Sequence, residues 1–243
     1  FAALREDRRP VFAGGLAVLA GVFDALNLRR MATSEYALRE GVIHDLLGRL
    51  SDHDMRSESV SAMARRYGAD PSHAAAVERT AHKLLEAAAP GWSLDPRLGT
   101  SLLSWAARLH EIGLVIAHTA YHKHGEYILR HCDLQGFSQL DQLLLAALVR
   151  LHRGKFALSA LEDLPASWQE TIQRLAMILR LAVLLHRSRA PELRPPVKLS
   201  VARKSMELEF IQTRWLDRHP LTRADLERET EYLQAVEVKL RVE

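Results

Sequence analysis

Apolar residues along positions 101–156 recur every three or four places, a period that predicts helices packed on a core. Leu102, Leu103, Ala106, Leu109 and Gly113 form one stripe. A second helix has a clear start, with Gly136 and Phe137 ahead of Ser138 as N-cap and Asp141 three residues on as its capping-box partner. Its stripe runs through Leu143, Leu144, Ala147, Leu148 and Leu151 and stops near Gly154. Two helices are predicted before this stretch, over 57–67 and 73–89. Gly68 ends the first, Asp70-Pro71-Ser72 caps the second, and Pro90-Gly91 breaks it. Trp92, Leu94 and Pro96 then make a loop on the core. After Phe156 a polar loop reaches Pro165, and a long helix follows over 168–187, its stripe marked by Ile172, Leu175, Ala176, Leu179, Ala182, Val183 and His186.

Both ends of the chain change character. The segment 189–196 has three prolines and reads as a linker. From Val197 the period becomes two: Val197, Leu199 and Val201 alternate, Arg203-Lys204-Ser205 turns, and 206–211 returns as a strand. Thr222, with Asp225 three residues on, predicts another helix start, and 236–242 alternates as a last strand, giving a β-β-α-β unit. At the other end, a turn over 10–15 leads into a helix over 16–28. Residues 30–34 read as a strand, 36–50 as an amphipathic helix with Gly41 inside it, and 51–54 as a boundary. A Gly-Gly turn such as Gly14-Gly15 at a helix start lets a phosphate approach backbone amides. The strands that complete such a site are not in this sequence, so a piece of a longer protein is expected.

The 243 residues are 48% hydrophobic and 26% charged, which suits a globular chain of one large or two smaller domains. No apolar run reaches the roughly 18 residues that span a bilayer, and a cytoplasmic protein with no membrane partner is expected. The lone Cys132 excludes an intrachain disulfide and reads as a small buried residue rather than a nucleophile. The net charge of +3 leans weakly toward an anionic partner; no nucleic-acid motif accompanies it.

Six of the 12 histidines fall within 101–156: His110, His118, His122, His124, His131 and His152. Packing does not need histidine, so this density points to metal, proton transfer or anion binding. If the first helix continues past Gly113, His118 and His122 share a face one turn apart.

The helical middle resembles the HD phosphohydrolase layout of His, His-Asp and a distant Asp around a metal. His73 and His110-Glu111 match its first positions, and Val183 stands where the R-L-A-D pattern has its last Asp. With Glu for one Asp and Val for the other, the resemblance implies a degenerate site and no metal.

A closer resemblance covers nearly the whole chain. GGLAVLAGVFDAL, ALREGVIHDLLGRL, LLSWAARLHEIGLVIAHTAYHKHGEYIL, DLQGFSQLDQLLLAALVRLHRGKF, LRLAVLLHRSR and HPLTRADLERETEYL are similar to the C-terminal part of the exopolyphosphatase/guanosine pentaphosphate phosphatase (Ppx/GppA) family. The resemblance implies a mainly α chain with a small α+β end. Residues 1–50 are then the tail of the second actin-like (ASKHA) domain, with Gly14 and Gly15 as its nucleotide-side motif. Residues 51–190 are an HD-like helical domain, and 191–243 a small C-terminal domain. It further implies that the phosphate loops, the catalytic Glu and Mg²⁺ of a full-length enzyme lie in actin-like domains upstream. No cofactor or catalytic residue is then expected here, and this piece alone is expected to be inactive.

What remains is a role in gripping inorganic polyphosphate and in forming a homodimer. Candidates for the grip are Arg108, Lys123, His124, Arg150, His152, Arg153 and Lys155. Two other readings are a working HD phosphohydrolase using His73, His110, Glu111, His118 and His122 on a metal, and a helical interaction module with structural histidines.

Overall fold

The computed structural model describes residues 6–32, 55–189, 197–212 and 214–243. The chain divides into two compact units, 1–46 and 47–243, each described by itself.

The first unit holds a 3-10 turn, Glu6–Arg8, and helix α1, Arg9–Ala25. Gly14 and Gly15 therefore lie inside a helix, not in a turn before it. A Cβ at either position would meet nothing within 4 Å. The helix starts seven residues before the predicted position because Pro10, at its second residue, needs no N–H partner there. Arg30 to Ala32 is irregular, not a strand. The predicted helix over 36–50 with its Gly41, the boundary at 51–54 and most of the linker at 189–196 lie outside the described residues.

The second unit is mainly helical. Its helices are α2, Met55–Arg66; α3, Pro71–Trp92; α4, Pro96–Leu109; α5, Tyr121–His131; α6, Gln139–Leu151; α7, Ser159–Glu162; α8, Ala166–Leu185; and α9, Pro220–Gln234. Local signals fix many of their ends. Asp70 Oδ1 accepts from the amides of Ser72 and His73, and Asp95 caps α4 in the same way. Ser138 and Asp141 form the complete capping box. Gly68, at φ +66°, closes the turn after α2.

Several helix ends differ from the sequence reading, and α4 already starts at Pro96, a residue expected in a loop. Helix α3 runs through Pro90 to Trp92. Trp92 is buried and its indole N–H donates to Ala202 O at 2.8 Å, so a tertiary contact holds the last turn past the proline. Helix α9 starts at Pro220, with no side-chain cap from Thr222. His219 instead stacks on Trp215, 3.7 Å between ring centres, and bonds Trp215 O, which sets where the helix begins. A short helix, α7, also interrupts the predicted polar loop.

Strands β1, Val197–Ala202, and β2, Ser205–Phe210, form an antiparallel hairpin around Arg203-Lys204. Strand β3, Lys239–Val242, is shorter than predicted and pairs parallel with β2, with Ser205 opposite Lys239. The sheet has order β1-β2-β3. Its inner side chains, Leu199, Met206, Leu208, Phe210 and Leu240, join one apolar core with α2 to α9. Gly91 of α3 lies so close to β1 that a Cβ would fall 2.8 Å from Val201 Cγ2. The mainly α architecture with a small β-β-α-β end is thus as expected from the sequence.

Arg180 lies in the middle of α8, fully buried. Its Nε and Nη2 donate to the Glu229 carboxylate at 2.5 and 2.8 Å, and Nη1 and Nη2 donate to Leu151 O and Gly154 O at 2.6 and 2.7 Å. One guanidinium therefore binds α8, the end of α6 and α9. Removing Glu229 leaves a buried charge, which costs about 3–5 kcal/mol. Glu229→Ala is expected to lower stability by that order in urea unfolding. The pair Arg180→Met with Glu229→Leu is expected to recover only part, because Leu151 O and Gly154 O lose their donor.

Candidate functional site

Several helix ends of the second unit meet in one region: the starts of α3 and α5, and the C-termini of α4, α6 and α8. The last residue beyond each of the three C-termini is a histidine, His110, His152 and His186. The tripeptide Arg-Leu-His occurs at two of these ends, 108–110 and 150–152. In both, the ring Nδ1 bonds the carbonyl three residues back, Ala107 O at 2.8 Å and Val149 O at 2.6 Å. A helix end has carbonyls without amide partners, and these rings donate to them. That fixes the tautomer: the proton is on Nδ1 and the Nε2 lone pair points inward.

A row of rings results. His73 and His110 are 5.5 Å apart by centres, His110 and His152 5.2 Å, and His152 and His122 6.2 Å. His152 Nε2 lies 3.4 Å from the Tyr121 hydroxyl, the donor its lone pair can accept from. His110 Nε2 and His122 Nδ1 are buried without hydrogen-bond partners. Glu111 adjoins the row, its Oε1 3.8 Å from His73 Nε2. Arg189 reaches it from the end of α8, donating to Glu111 Oε1 at 2.6 Å and to Asp70 Oδ2 at 3.1 Å.

Close backbone approach positions Tyr121 and His122. Helix α4 stops at Leu109, and a 3-10 turn, Ile112–Val115, follows. A Cβ on Gly113 would fall 2.0 Å from Tyr121 O, and one on Gly125 2.8 Å from Val149 Cγ1. Only glycine lets α5 sit this tightly against the turn and α6. The expected continuous helix past Gly113 is therefore absent. His118 lies exposed in the connection and does not share a face with His122.

Beside Tyr121 and His152 opens a cleft of about 200 Å³, lined also by Arg153, Arg180, Arg187, Asp225, Arg228, Glu229 and Tyr232. Arg180 is neutralised by Glu229, and Arg187 pairs with Asp225 at 2.5 Å. Arg153 stacks over the Tyr121 ring at 4.4 Å, and neither it nor Arg228 has a carboxylate partner among the described residues. The cleft therefore carries excess positive charge.

The sequence candidates for gripping an anion separate into groups. Arg153 and His152 line the cleft, although His152 itself is buried. Lys155 is exposed just beyond. Lys123, Arg150 and Arg153 lie near enough to His122 to disfavour its protonation. Arg150 is held by Glu126 at 2.9 Å, and His124 is half-buried on α5. Arg108 bonds Glu78 at 3.2 and 3.3 Å and lines a different hollow. Val183 lines the cleft, so the position of the HD-like last Asp faces the same region as His152.

Arg180, Arg187, Arg189, Arg228, Tyr121 and Tyr232 were not singled out in the sequence. For Arg180 a signal existed: it is the only charged residue between Ala176 and Leu185. Cys132 is half-buried against the core rather than buried; partial burial pushes its thiol up, and its Sγ points to Leu129 O.

Burial sets the titration of the row. It pushes His110 down to about 4 against the opposing pull of Glu111 and of the Ala107 hydrogen bond, and His122 also to about 4, with Arg150 and Arg153 adding to the effect. His152 lies well below the ordinary range because of burial and the adjacent His110. The same burial raises the Tyr121 hydroxyl.

Residues 55–230 match the model of Ppx/GppA phosphatase, domain III, and residues 1–50 match that of the Ppx/GppA phosphatase family. The chain belongs to the Ppx/GppA phosphatase family. Similar relatives carry the name guanosine-5'-triphosphate,3'-diphosphate pyrophosphatase. One from Pseudoalteromonas translucida is 34% identical over 93% of this chain and 45% of its own length. One from Aeromonas hydrophila is 36% identical over 95% of this chain and 46% of its own, and one from Vibrio cholerae 35% over 93% and 45%. The chain spans about half the length of these curated relatives. No described helix is long and apolar enough to cross a membrane.

The buried histidines predict a pH dependence. Below pH 6.5 the unfolded chain takes up protons that His110 and His122 refuse in the fold until about pH 4. Stability is thus fully present above pH 6.5 and lost as pH falls toward 4, at up to about 1.4 kcal/mol per pH unit per histidine. Urea midpoints measured from pH 8 to pH 4.5 are expected to stay flat and then fall; a midpoint independent of pH in the lower range would contradict this.

Proposed function

We propose that this chain is the C-terminal portion of a cytoplasmic enzyme that hydrolyses phosphoanhydride bonds, and that it holds an extended phosphate chain rather than cutting it. In this reading residues 1–50 are the tail of an actin-like domain, 51–190 an HD-like helical domain without HD hydrolytic chemistry, and 191–243 a small α+β domain. The whole enzyme removes terminal phosphate from polyphosphate, or the extra phosphate of a guanosine pentaphosphate, and works as a homodimer. Family membership supports the reaction class, and the names of the relatives favour the guanosine substrate.

The single observation that carries the grip is the cleft beside Tyr121, where Asp225 and Glu229 are taken by Arg187 and Arg180 and no described carboxylate pairs with Arg153 or Arg228. A phosphate chain has about one charge per unit, and guanidinium groups bind its oxygens with charge-assisted hydrogen bonds. The helix C-termini at this junction do not favour anions, so the arginines, beside the start of α5 at Tyr121, supply the attraction. Arg153 and Lys155 remain grip residues in this reading, Arg228 joins them, and Arg108 and Arg150 drop out because Glu78 and Glu126 already hold them.

Magnesium, which the family resemblance implies for the full-length enzyme, does not fit the donors gathered here. Mg²⁺ wants an octahedron of oxygens, whereas the junction offers imidazole nitrogens and one carboxylate. No step is assigned to magnesium in this part of the enzyme.

Titration of long polyphosphate into the 243-residue chain tests the grip. Arg153→Gln with Arg228→Gln is expected to weaken binding and to lower the log–log salt slope by up to about one unit per lost contact. Unchanged affinity and slope would remove the cleft from the reading. The chain with Mg²⁺ is also expected to release no phosphate from polyphosphate above a heat-killed control, since in this reading the base and oxyanion donors belong to the actin-like lobe, of which only the tail is here. Phosphate release would favour the HD phosphohydrolase reading instead.

A further inference from the structure

We propose that the outer edge of strand β1 is a docking site for an extended, acidic segment of a partner protein, which adds to the sheet as a further strand over the groove between β1 and α3.

Register decides which backbone groups of β1 are already used. Ala202 and Ser205 flank the two-residue turn and face each other, as do Ser200 and Glu207, and Lys198 and Glu209. On the other side of β2, the Phe210 N–H donates to Glu243 O and the Glu243 N–H donates to Leu208 O, so the even-numbered residues of β2 serve β3. Its odd-numbered residues therefore exchange hydrogen bonds with Lys198, Ser200 and Ala202. Successive residues of a strand turn their N–H and C=O groups to opposite sides, so Val197, Leu199 and Val201 turn theirs outward. Helix α3 closes that edge at Val201, where a Cβ on Gly91 would fall 2.9 Å from Val201 O. Val197 and Leu199 have no backbone partner on this edge among the described residues.

These two residues line a groove of about 690 Å³. Ala76, Leu84 and Leu185, all buried, give it an apolar floor. Its polar pair is already joined, with Thr80 Oγ1 2.7 Å from His186 Nε2. Arg79 and Lys83, one turn apart on α3 and both exposed, stand at its rim with Lys198 of β1. No carboxylate lines the groove, and neither Arg79 nor Lys83 has an ion pair among the described residues. Lys198 is shared with Glu209 at 3.8 Å.

The mixed polarity of the edge decides between ligands. Each outward residue offers an amide donor and a carbonyl acceptor, and another peptide backbone answers both. A phosphate chain satisfies the amides and the cations but sets its negative charge against the carbonyls. An added strand also places alternate side chains on opposite faces. The apolar floor takes those of one face, and the rim cations favour acidic neighbours. An edge left open is ordinarily blunted by a bulge or a covering element; here the cover stops at Val201, and a groove with complementary walls begins.

A fluorescein-labelled octapeptide alternating valine and glutamate, titrated into the 243-residue chain and followed by polarisation, tests this. Saturable binding is expected, with amide hydrogen exchange at Val197 and Leu199 slowed by about tenfold or more. With valine held on the floor, only every second amide of the peptide faces β1. Of two versions N-methylated on alternate residues, one is therefore expected to bind like the parent peptide and the other to lose binding. Arg79→Glu with Lys83→Glu, both at exposed positions, is expected to keep the fold by circular dichroism and to weaken the peptide by about tenfold. The same variant is expected to prefer a valine–lysine peptide. Absence of saturable binding, equal binding of the two methylated peptides, or unchanged affinity in the variant overturns the proposal. Displacement by polyphosphate with no discrimination between the methylated forms would make the groove an anion patch and overturns it as well.

Discussion

A buried guanidinium is costly unless its protons find acceptors, and Arg180 makes four hydrogen bonds from its five N–H donors to three places in the chain. Desolvation raises the Glu229 carboxylate while Arg180 opposes that rise, so each group depends on the other for its charge. The carbonyls it receives, on Leu151 and Gly154, flank His152. The pair therefore determines where α6 ends and where the histidine row turns into the cleft. Phe156 and Tyr232 lie against the same guanidinium at 5.5 and 5.7 Å and seal it from water.

The junction shows how helix termini can be made into a site. Termini leave carbonyls unpaired, and elsewhere an extra turn or a glycine satisfies them. Here histidines do so, and each then presents a fixed nitrogen to the interior. The histidine density in the sequence is thus explained in two ways. His110, His122 and His152 belong to the row with His73. His118 and His131 are exposed, and His131 packs on Tyr127 at 4.4 Å.

Legibility followed the range of the interaction. Caps made by neighbours in sequence, Asp70, Asp95 and the Ser138–Asp141 box, were readable or of the readable kind because donor and acceptor are two or three residues apart. The β1–β2 hairpin was readable from its period. The end of α3 was not, because Ala202, 110 residues away, holds Trp92. The break after Leu109 was hidden for a similar reason: Gly113 is required by Tyr121 O, not by its own neighbours. The site was half legible. His73, His110 and Glu111 could be picked out as a group, but which arginines were free could not, since Glu78, Glu126, Asp225 and Glu229 reach theirs from other elements. The family resemblance could be read because its motifs are long, contiguous strings.

The dependence of Arg180 on Glu229 has a consequence for synthesis. The two residues are 49 apart in sequence. At roughly 5–20 residues per second, a ribosome needs about 2–10 seconds to add that stretch. During this interval α8 carries a cation whose carboxylate partner has not yet been made. The helical body can collapse around its leucines before then, but its polar junction cannot close. Strand β3, which follows α9 and pairs parallel with β2, arrives later than both. The order of translation thus separates formation of the core from completion of the site.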